Sequence, residues 1–437
     1  MKTASLFRLL WETTAGDVAG LTSVFGMGTG VSWLLWPSSY SLRRGVFKAF
    51  CSFFLMEYLF IFGRDHLLSF GELVSYLKRK GIEGKLIDFN EFGAIYDLPA
   101  FNPRWIEELG GILKIAKIEF NFQDLEEVDE RKLKFLEYLP EKFAYGINIY
   151  GSFDVDFCKE MLKRFFKEQR FKAFEIPSQE SFYGCLQTLP SDILRKKLVE
   201  TESDFIFFEG KKKYFARTVA VSDPFALEKR DLERPARNPL EAISIRLAKI
   251  LINLSQVKQG ETLLDPFCGI GTILQEAALQ GIDFQGIDLQ KERVEDAKRN
   301  LTSVGIKIFG KIRQGEATRL SEYFKGEIDG IATEPYLGPL IKNQLSFEEA
   351  QVRMKDLEKL YRKFFQEAVR VLKKGGFLVV VLPYFKTRKG EIFLPVEDIL
   401  PRGLRAYDPL QGIIEKSFPL RYEERKIGRM IYVLRKV

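Results

Sequence analysis

The stretch that decides the fold of the C-terminal part of the chain is Glu261-Thr-Leu-Leu-Asp265-Pro-Phe-Cys-Gly-Ile-Gly-Thr272. A short apolar segment ends in an acid, a glycine-bearing turn follows, and the apolar run Ile273–Leu279 predicts a helix. This order brings backbone N–H groups close to a bound ligand. Asp265 would lie at the carboxyl end of its strand, the edge where doubly wound α/β sheets bind ligands.

The turn predicts a cofactor that contains adenosine but no phosphates. A dinucleotide fingerprint needs a third glycine where this chain has Leu274, and a P-loop lysine is missing as well. Asp288 closes the next predicted strand and is placed to bond ribose hydroxyls, and Glu316 follows a third strand and could reach an adenine amine. We therefore expect S-adenosylmethionine, bound by Asp265, Phe267, Cys268, Gly269, Gly271, Thr272, Asp288, Glu316 and Ala317.

Several of these residues also have a purely structural interpretation. Asp265 and Asp288 could cap the helices that follow them, and Glu316 could be a turn residue. Cys268 is more often a packing residue than a reactive thiol, and Phe267 could belong to the core alone.

The rest of residues 240–437 alternates strands and helices. A fourth apolar strand at Asp329–Ala332 runs into Thr333-Glu-Pro-Tyr-Leu-Gly-Pro339. A helix at Leu357–Leu372, a buried strand at Phe377–Leu382 and a terminal strand at Arg429–Arg435 are predicted after it. We expect a Rossmann-fold sheet of seven strands whose last strand is antiparallel.

The preceding residues predict two smaller α+β domains and a linker. A β-α-β-β-α-β order over 56–120 indicates a ferredoxin-like domain, and 121–226 forms a second α+β stretch. Residues 227–239 are charged, carry two prolines and predict a linker. Residues 1–55 are irregular in pattern, and we expect translation to begin at Met56, with 1–55 a misassigned or poorly ordered extension.

Composition excludes several classes of site. The chain has 437 residues, 46% hydrophobic and 29% charged, with four separated cysteines and one histidine, His66. These numbers oppose a disulfide scaffold, a zinc or other metal site and a Ser-His-Asp triad, and they favour a reducing cytoplasm. The apolar run Ala49–Gly63 is interrupted by Glu57 and too short to span a bilayer. We expect a cytoplasmic monomer with no membrane contact.

Basic residues predict an RNA-binding surface. The net charge is +7, and the predicted helix Asp154–Arg170 carries cationic residues on a side opposite its apolar residues. The residues expected to contact RNA are Lys159, Lys163, Lys167, Arg170, Lys211, Lys212, Lys213 and Arg230. The alternative is a solvated helix face, with Arg230 and Arg234 only tying the linker to the C-terminal domain by ion pairs.

Four segments together resemble the archaeal-type tRNA guanine-N2 methyltransferases that modify position 10. They are Asp265–Thr272, Thr333–Gly338, and the approach Lys229–Pro235 with Leu247–Leu254. The resemblance implies a ferredoxin-like domain, a THUMP RNA-binding domain and a Rossmann-fold methyltransferase. It also implies a tRNA substrate whose acceptor end the THUMP domain holds.

One departure from that family leaves the acceptor for the target amine open. The family motif is Asp-Pro-Pro-Tyr, and alignment on Pro335-Tyr336 puts Thr333 in the place of the aspartate, whereas a local shift lets Glu334 supply the carboxylate. Tyr336 would stack on an extruded base. The predicted catalytic residues are thus Thr333, Glu334, Pro335 and Tyr336. Adenine-N6 or ribosomal RNA methylation, or a catalytically silent RNA-binding protein, are the alternatives.

Overall fold

The computed structural model describes residues 56–180, 184–237, 243–325, 328–339, 344–422 and 427–437. The predicted extension 1–55 lies outside this range. Among the described helices, none is both long enough and apolar enough to cross a membrane. The same residues contain no cluster of His, Cys, Asp or Glu that could hold a metal ion.

The N-terminal part is built on one ten-stranded sheet with the order β2-β3-β1-β4-β10-β9-β5-β8-β7, in which β6 pairs with β5. Its strands in chain order, β1 to β10, are Met56–Phe62, Lys85–Phe89, Gly93–Leu98, Ile112–Phe122, Lys142–Tyr150, Lys172–Glu175, Gln179–Glu180, Leu186–Gln187, Asp204–Glu209 and Lys213–Val221. Its α-helices are His66–Lys80, Trp105–Glu108, Glu130–Leu133, Val155–Glu168 and Pro190–Arg195.

The first four strands and two helices follow the predicted β-α-β-β-α-β order. β1 lies between β3 and β4, β2 pairs with β3, and all three pairings are antiparallel. The helix His66–Lys80 ends at Gly81, which adopts the left-handed conformation that glycine allows at a C-cap. Phe60, Phe70 and Tyr76 are buried between this helix and the sheet.

The sheet does not stop at the predicted boundary between residues 120 and 121. That boundary falls inside β4, which continues to Phe122 and pairs along its length with β10. The helix Val155–Glu168 begins at Asp154, whose carboxylate accepts a hydrogen bond from the Phe157 N–H. Its apolar side packs on the central strands of the same sheet.

The predicted linker contains a helix, so that prediction is wrong for its first half. Helix Pro224–Leu232 begins at Asp223, whose carboxylate accepts from the N–H groups of Phe225 and Ala226. Proline at the first helical position starts this helix, because its missing N–H would be unpaired there anyway. This short exposed helix has mostly charged and few apolar side chains, so its sequence has the composition of a linker.

The C-terminal part is a nine-stranded sheet with the core order β13-β12-β11-β14-β15-β19-β17. Its strands in chain order, β11 to β19, are Thr262–Asp265, Asp283–Asp288, Ile312–Gln314, Ile328–Thr333, Leu372–Thr387, Gly390–Phe393, Leu404–Ala406, Leu420–Tyr422 and Gly428–Lys436. Its α-helices are Ile245–Leu254, Thr272–Leu279, Lys291–Ser303, Leu320–Tyr323, Phe347–Val371 and Val396–Ile399. The first five core strands are parallel, and β19 is antiparallel to both neighbours. This is the predicted Rossmann-like arrangement.

Two details differ from the sequence prediction. The helix expected from Leu357 begins ten residues earlier, at Phe347, with a capping box between Ser346 and Glu349. β15 runs on to Thr387 and forms a hairpin with β16, and β18 adds a further strand beside β19. The sheet therefore has two strands more than the seven predicted.

A buried carboxylate joins the two parts of the chain. Glu72, on the first helix, is fully buried and accepts hydrogen bonds of 2.7 Å from the N–H groups of Gly110 and Gly111 and from Nδ2 of Asn253, on the helix Ile245–Leu254. Burial raises the pKa of Glu72, and these three donors oppose that effect. The contact fixes one helix from each part against the other.

Candidate active site

The glycine turn follows β11, at the edge where the parallel strands end. Gly269 and Gly271 have φ values of 51° and 85°, which an L side chain rarely adopts. A Cβ on Gly269 would meet nothing within 4 Å, whereas one on Gly271 would lie 2.7 Å from Cδ1 of Leu301. The turn is therefore accessible at Gly269 and closely packed at Gly271, and this combination suits a turn that binds a ligand.

Asp265 ends β11 and is almost completely buried. Its Oδ1 accepts a hydrogen bond of 2.7 Å from the Thr333 hydroxyl and one of 3.2 Å from the Phe267 N–H. Burial raises the pKa of Asp265 to about 7; the two hydrogen bonds oppose this rise, and the charges of Asp288 and Glu334 add to it. In the described part of the chain, no basic side chain forms an ion pair with Asp265.

Asp288 ends the neighbouring strand β12 and supports the turn. Its Oδ2 accepts from the Gly269 N–H at 2.9 Å, and its Oδ1 accepts from the Gln290 N–H at 2.9 Å. Glu316 is exposed beyond β13, where its carboxylate accepts from the Thr318 hydroxyl, and Ala317 is buried beside it. All three predicted positions lie at the carboxyl edge of the sheet.

The segment after β14 supplies the other side of the site. Thr333 is the last residue of the strand and is fully buried, and its hydroxyl donates a hydrogen bond to Asp265. Glu334 is the first residue beyond the strand, and its Oε1 accepts a hydrogen bond of 2.5 Å from Nε of Arg429 on β19. The two candidates for the amine acceptor thus face different partners.

Tyr336 projects from the same segment into solvent. Its side chain is 56% exposed, while its backbone carbonyl accepts a hydrogen bond of 2.7 Å from the Tyr361 hydroxyl. Pro335 is buried between Glu334 and this tyrosine. A fixed backbone with an exposed ring is the arrangement that stacking on a flat base requires.

Three predicted cofactor ligands have structural partners. The Phe267 ring packs edge-on against Phe364, with ring centroids 5.2 Å apart. Cys268 is buried, and burial raises the pKa of its thiol, so it packs rather than reacts. The Thr272 hydroxyl accepts a hydrogen bond of 3.0 Å from Arg234, which ties the approach segment to the start of the helix.

The predicted RNA contacts divide into paired and exposed residues. Lys159 and Lys163 both form ion pairs with Glu175, and Arg230 pairs with Glu276 at 3.3 Å. These pairs favour the structural alternative for the three residues. The other cations lie at the surface, with Lys213 half-buried, and they are Lys167, Arg170, Lys211, Lys212 and Lys213.

Sequence reasoning missed Arg429. The terminal strand was predicted, but an arginine near the start of a strand has no local pattern that assigns it to a site. Only the sheet order, which places β19 beside β15 and near the end of β14, brings its side chain to Glu334.

The charges at this edge fit S-adenosylmethionine. Asp265, Asp288 and Glu334 bring three carboxyl groups to one edge, and Arg429 pairs with Glu334 alone among them. A ligand with positively charged ammonium and sulfonium groups would neutralise this acidic edge. At Gly269 no atom lies within 4 Å of an added Cβ, so the backbone of the turn is accessible there.

Comparisons with known proteins identify methyltransferase relatives of this chain. A family model described as RMKL-like, methyltransferase domain, matches residues 233–389. A tRNA (guanine(10)-N2)-dimethyltransferase from Methanothermobacter thermautotrophicus is 27% identical over 340 residues, which are 76% of this chain and 90% of the relative. A probable tRNA (guanine(10)-N2)-dimethyltransferase from Methanothermococcus thermolithotrophicus is 32% identical over 139 residues, 31% of this chain and 77% of the relative.

A solved structure shares the fold. TrmN from Thermus thermophilus superposes with a TM-score of 0.50 at 15% identity, covering 87% of this chain and 100% of TrmN. This likeness shows the fold alone, and the sequence relatives assign the chain. It belongs to the family of tRNA guanine-N2 methyltransferases.

Proposed function

We propose that the protein transfers a methyl group from S-adenosylmethionine to the exocyclic N2 amine of a guanine in tRNA. The observation that carries this proposal is the pairing of Glu334, whose side chain is 9% exposed, with the exposed Tyr336 directly after β14, the strand next to the one that ends in Asp265. Relatives named for guanine-N2 methylation support the choice of base and of tRNA.

The chemistry needs an acceptor that orients the target amine. The lone pair of a guanine amine is delocalised into the ring, so the amine attacks poorly unless its N–H bonds are fixed and its lone pair is aimed. The donor supplies an electrophilic methyl group on a positively charged sulfur. Nitrogen gains the methyl group, sulfur keeps the electron pair of the broken bond, and the amine releases one proton.

We assign the acceptor role to Glu334. The Thr333 hydroxyl donates to Asp265 and keeps lone pairs that could accept an N–H, but Thr333 is fully buried, which separates it from a base that arrives from solvent. Glu334 lies one residue further along, beyond the strand, with a carboxylate that can accept an N–H. Thr333 then acts on the donor side, by orienting the Asp265 carboxyl.

Tyr336 would hold the base, and the carboxyl edge would hold the donor. An exocyclic amine inside a duplex is out of reach, so the base must swing out and stack on an aromatic ring. The donor side comprises Asp265, Asp288 and the turn at Gly269, with Glu316 exposed at the rim.

The N-terminal part would position the RNA. We propose a ferredoxin-like unit at 56–120 and a THUMP-like RNA-binding unit at 121–226, which share the ten-stranded sheet. The exposed cations of the second unit, Lys167, Arg170, Lys211 and Lys212, would neutralise phosphates. We further propose a cytoplasmic location, which the separated cysteines favour.

A pair of substitutions tests the assignment of the acceptor. Glu334→Gln should lower kcat on undermodified tRNA by roughly a hundredfold or more while the affinity for S-adenosylmethionine stays within a few-fold. Thr333→Val should mainly raise the KM for the donor, because it removes the hydrogen bond to Asp265. If Glu334→Gln retains its turnover while Thr333→Val loses it, Glu334 is not the acceptor.

A further inference from the structure

Arg429 is buried near the start of β19, and its side chain reaches the candidate site. It is the second residue of β19, paired in register with Pro383 of β15 on one side and Tyr422 of β18 on the other. Its side chain is only 7% exposed. A buried guanidinium is costly unless it is paired, so its partner must contribute to holding it there.

That partner is the carboxylate proposed above to accept the target amine. Nε of Arg429 donates to Oε1 of Glu334 at 2.5 Å, and the glutamate side chain is 9% exposed. A charge-assisted hydrogen bond of this kind is directional, so it restricts both the position and the rotation of the carboxylate. The pair links β14 to β19, across β15, which lies between them.

The surroundings of Glu334 make a positive charge necessary there. The groups that act electrostatically with it are the Asp265 carboxyl and the Tyr361 hydroxyl, whose pKa values its negative charge helps to raise, and the Arg429 guanidinium. Without the guanidinium, Glu334 would lose the cationic partner of its ion pair while the Asp265 carboxyl still acted on it. The carboxylate would then also lose the directional hydrogen bond that sets its orientation.

We propose that Arg429 is a positioning residue for methyl transfer. It fixes the orientation of the Glu334 carboxylate and engages Oε1, so that Oε2 is the oxygen that accepts an N–H of the target amine. The inference rests on the proposed function, because it gives Glu334 the acceptor role. It does not place Arg429 in contact with the donor or with the base.

A double-mutant cycle between the two residues tests this proposal. The variants are Arg429→Met, Arg429→Lys, Glu334→Gln and the double variant Arg429→Met/Glu334→Gln, each assayed for kcat, for the KM of tRNA and for S-adenosylmethionine affinity. Arg435→Met is the matched control, because Arg435 lies on the same strand, exposed, near its other end. The double variant replaces both charges, so it provides a folded comparison even if Arg429→Met alone is unstable.

We expect Arg429→Met to lower kcat by roughly thirtyfold or more with donor affinity within a few-fold, and Arg429→Lys to recover part of the loss. In the Glu334→Gln background, Arg429→Met should lower kcat by less than about a further threefold, because the carboxylate that Arg429 orients has already been removed. Equal losses in both backgrounds, or wild-type kcat in both Arg429 variants, would overturn the proposal. Wild-type kcat in Glu334→Gln would instead overturn the acceptor role itself.

Discussion

Replacing the buried Asp265 carboxyl with an amide, Asp265→Asn, changes the charge of the donor site while keeping its shape. Burial raises the pKa of this carboxyl from 3.8 to about 7. Each unit of pKa difference corresponds to about 1.4 kcal/mol between the two protonation states. Ionising Asp265 in the folded protein therefore costs roughly 4 kcal/mol of folding free energy, an order-of-magnitude figure.

The direction of the pH dependence follows from the raised pKa. Between about pH 4 and about pH 7 the folded protein keeps a proton on Asp265 that the unfolded chain has already released, so stability falls as the pH rises through this range. Below this window Asp265 is protonated in both states, so stability does not change with pH through this group. Above the window Asp265 is ionised in both states, and the full loss of folding free energy has occurred. Between about pH 5.5 and about pH 8, wild type should lose roughly 2 kcal/mol through Asp265, and Asp265→Asn should lose nothing through this position.

Equilibrium unfolding in guanidinium chloride at those two pH values measures the difference. The matched control is Asp283→Asn, the same change in a carboxyl that is 42% exposed at the start of β12 and pairs with Lys311. The control should keep the pH dependence of wild type. Asp265→Asn should also bind S-adenosylmethionine at least tenfold more weakly, since the amide carries no charge. The same pH dependence in wild type and Asp265→Asn would refute the reasoning.

Three further outcomes are expected. Gly271→Ala should lower the free energy of unfolding by roughly 1–3 kcal/mol and weaken donor binding, because its φ of 85° and its neighbouring leucine leave no place for a methyl group; denaturation and calorimetry check this. Glu72→Ala should destabilise the junction between the two parts by roughly 2–5 kcal/mol, measured by denaturation, because three buried donors lose their acceptor. Lys167→Glu with Arg170→Glu should weaken tRNA binding and lower its log–log salt slope by about two, whereas Lys359→Glu, a control on an exposed helix face, should not.

The sequence predicted the C-terminal sheet well, because its signals are local. An acid at a strand end, glycines at a turn and an apolar helix follow one another within 19 residues of Glu261–Leu279, and the structure confirms each element. The same holds for Asp288, whose place at the end of its strand needs no tertiary information. The added strands β16 and β18 are short and have no pattern distinct from a loop.

Side-chain partners could not be predicted, because they depend on tertiary contacts. Spacing alone put Lys159 and Lys163 on one exposed helix face, but β6 brings Glu175 to them. The choice between Thr333 and Glu334 was open for the same reason, because only the folded structure shows that Thr333 donates to Asp265 and that Glu334 accepts from Arg429.

The most direct test of the central claim is nucleoside mass spectrometry of RNA after incubation with the protein and isotopically labelled S-adenosylmethionine. Undermodified tRNA is the substrate, and Glu334→Gln is the matched slow variant. We predict that wild type places the label in N2-methylguanosine and that the variant does so at roughly a hundredth of that rate or less. Label in N6-methyladenosine, or no label with a protein that binds the donor, would contradict the account.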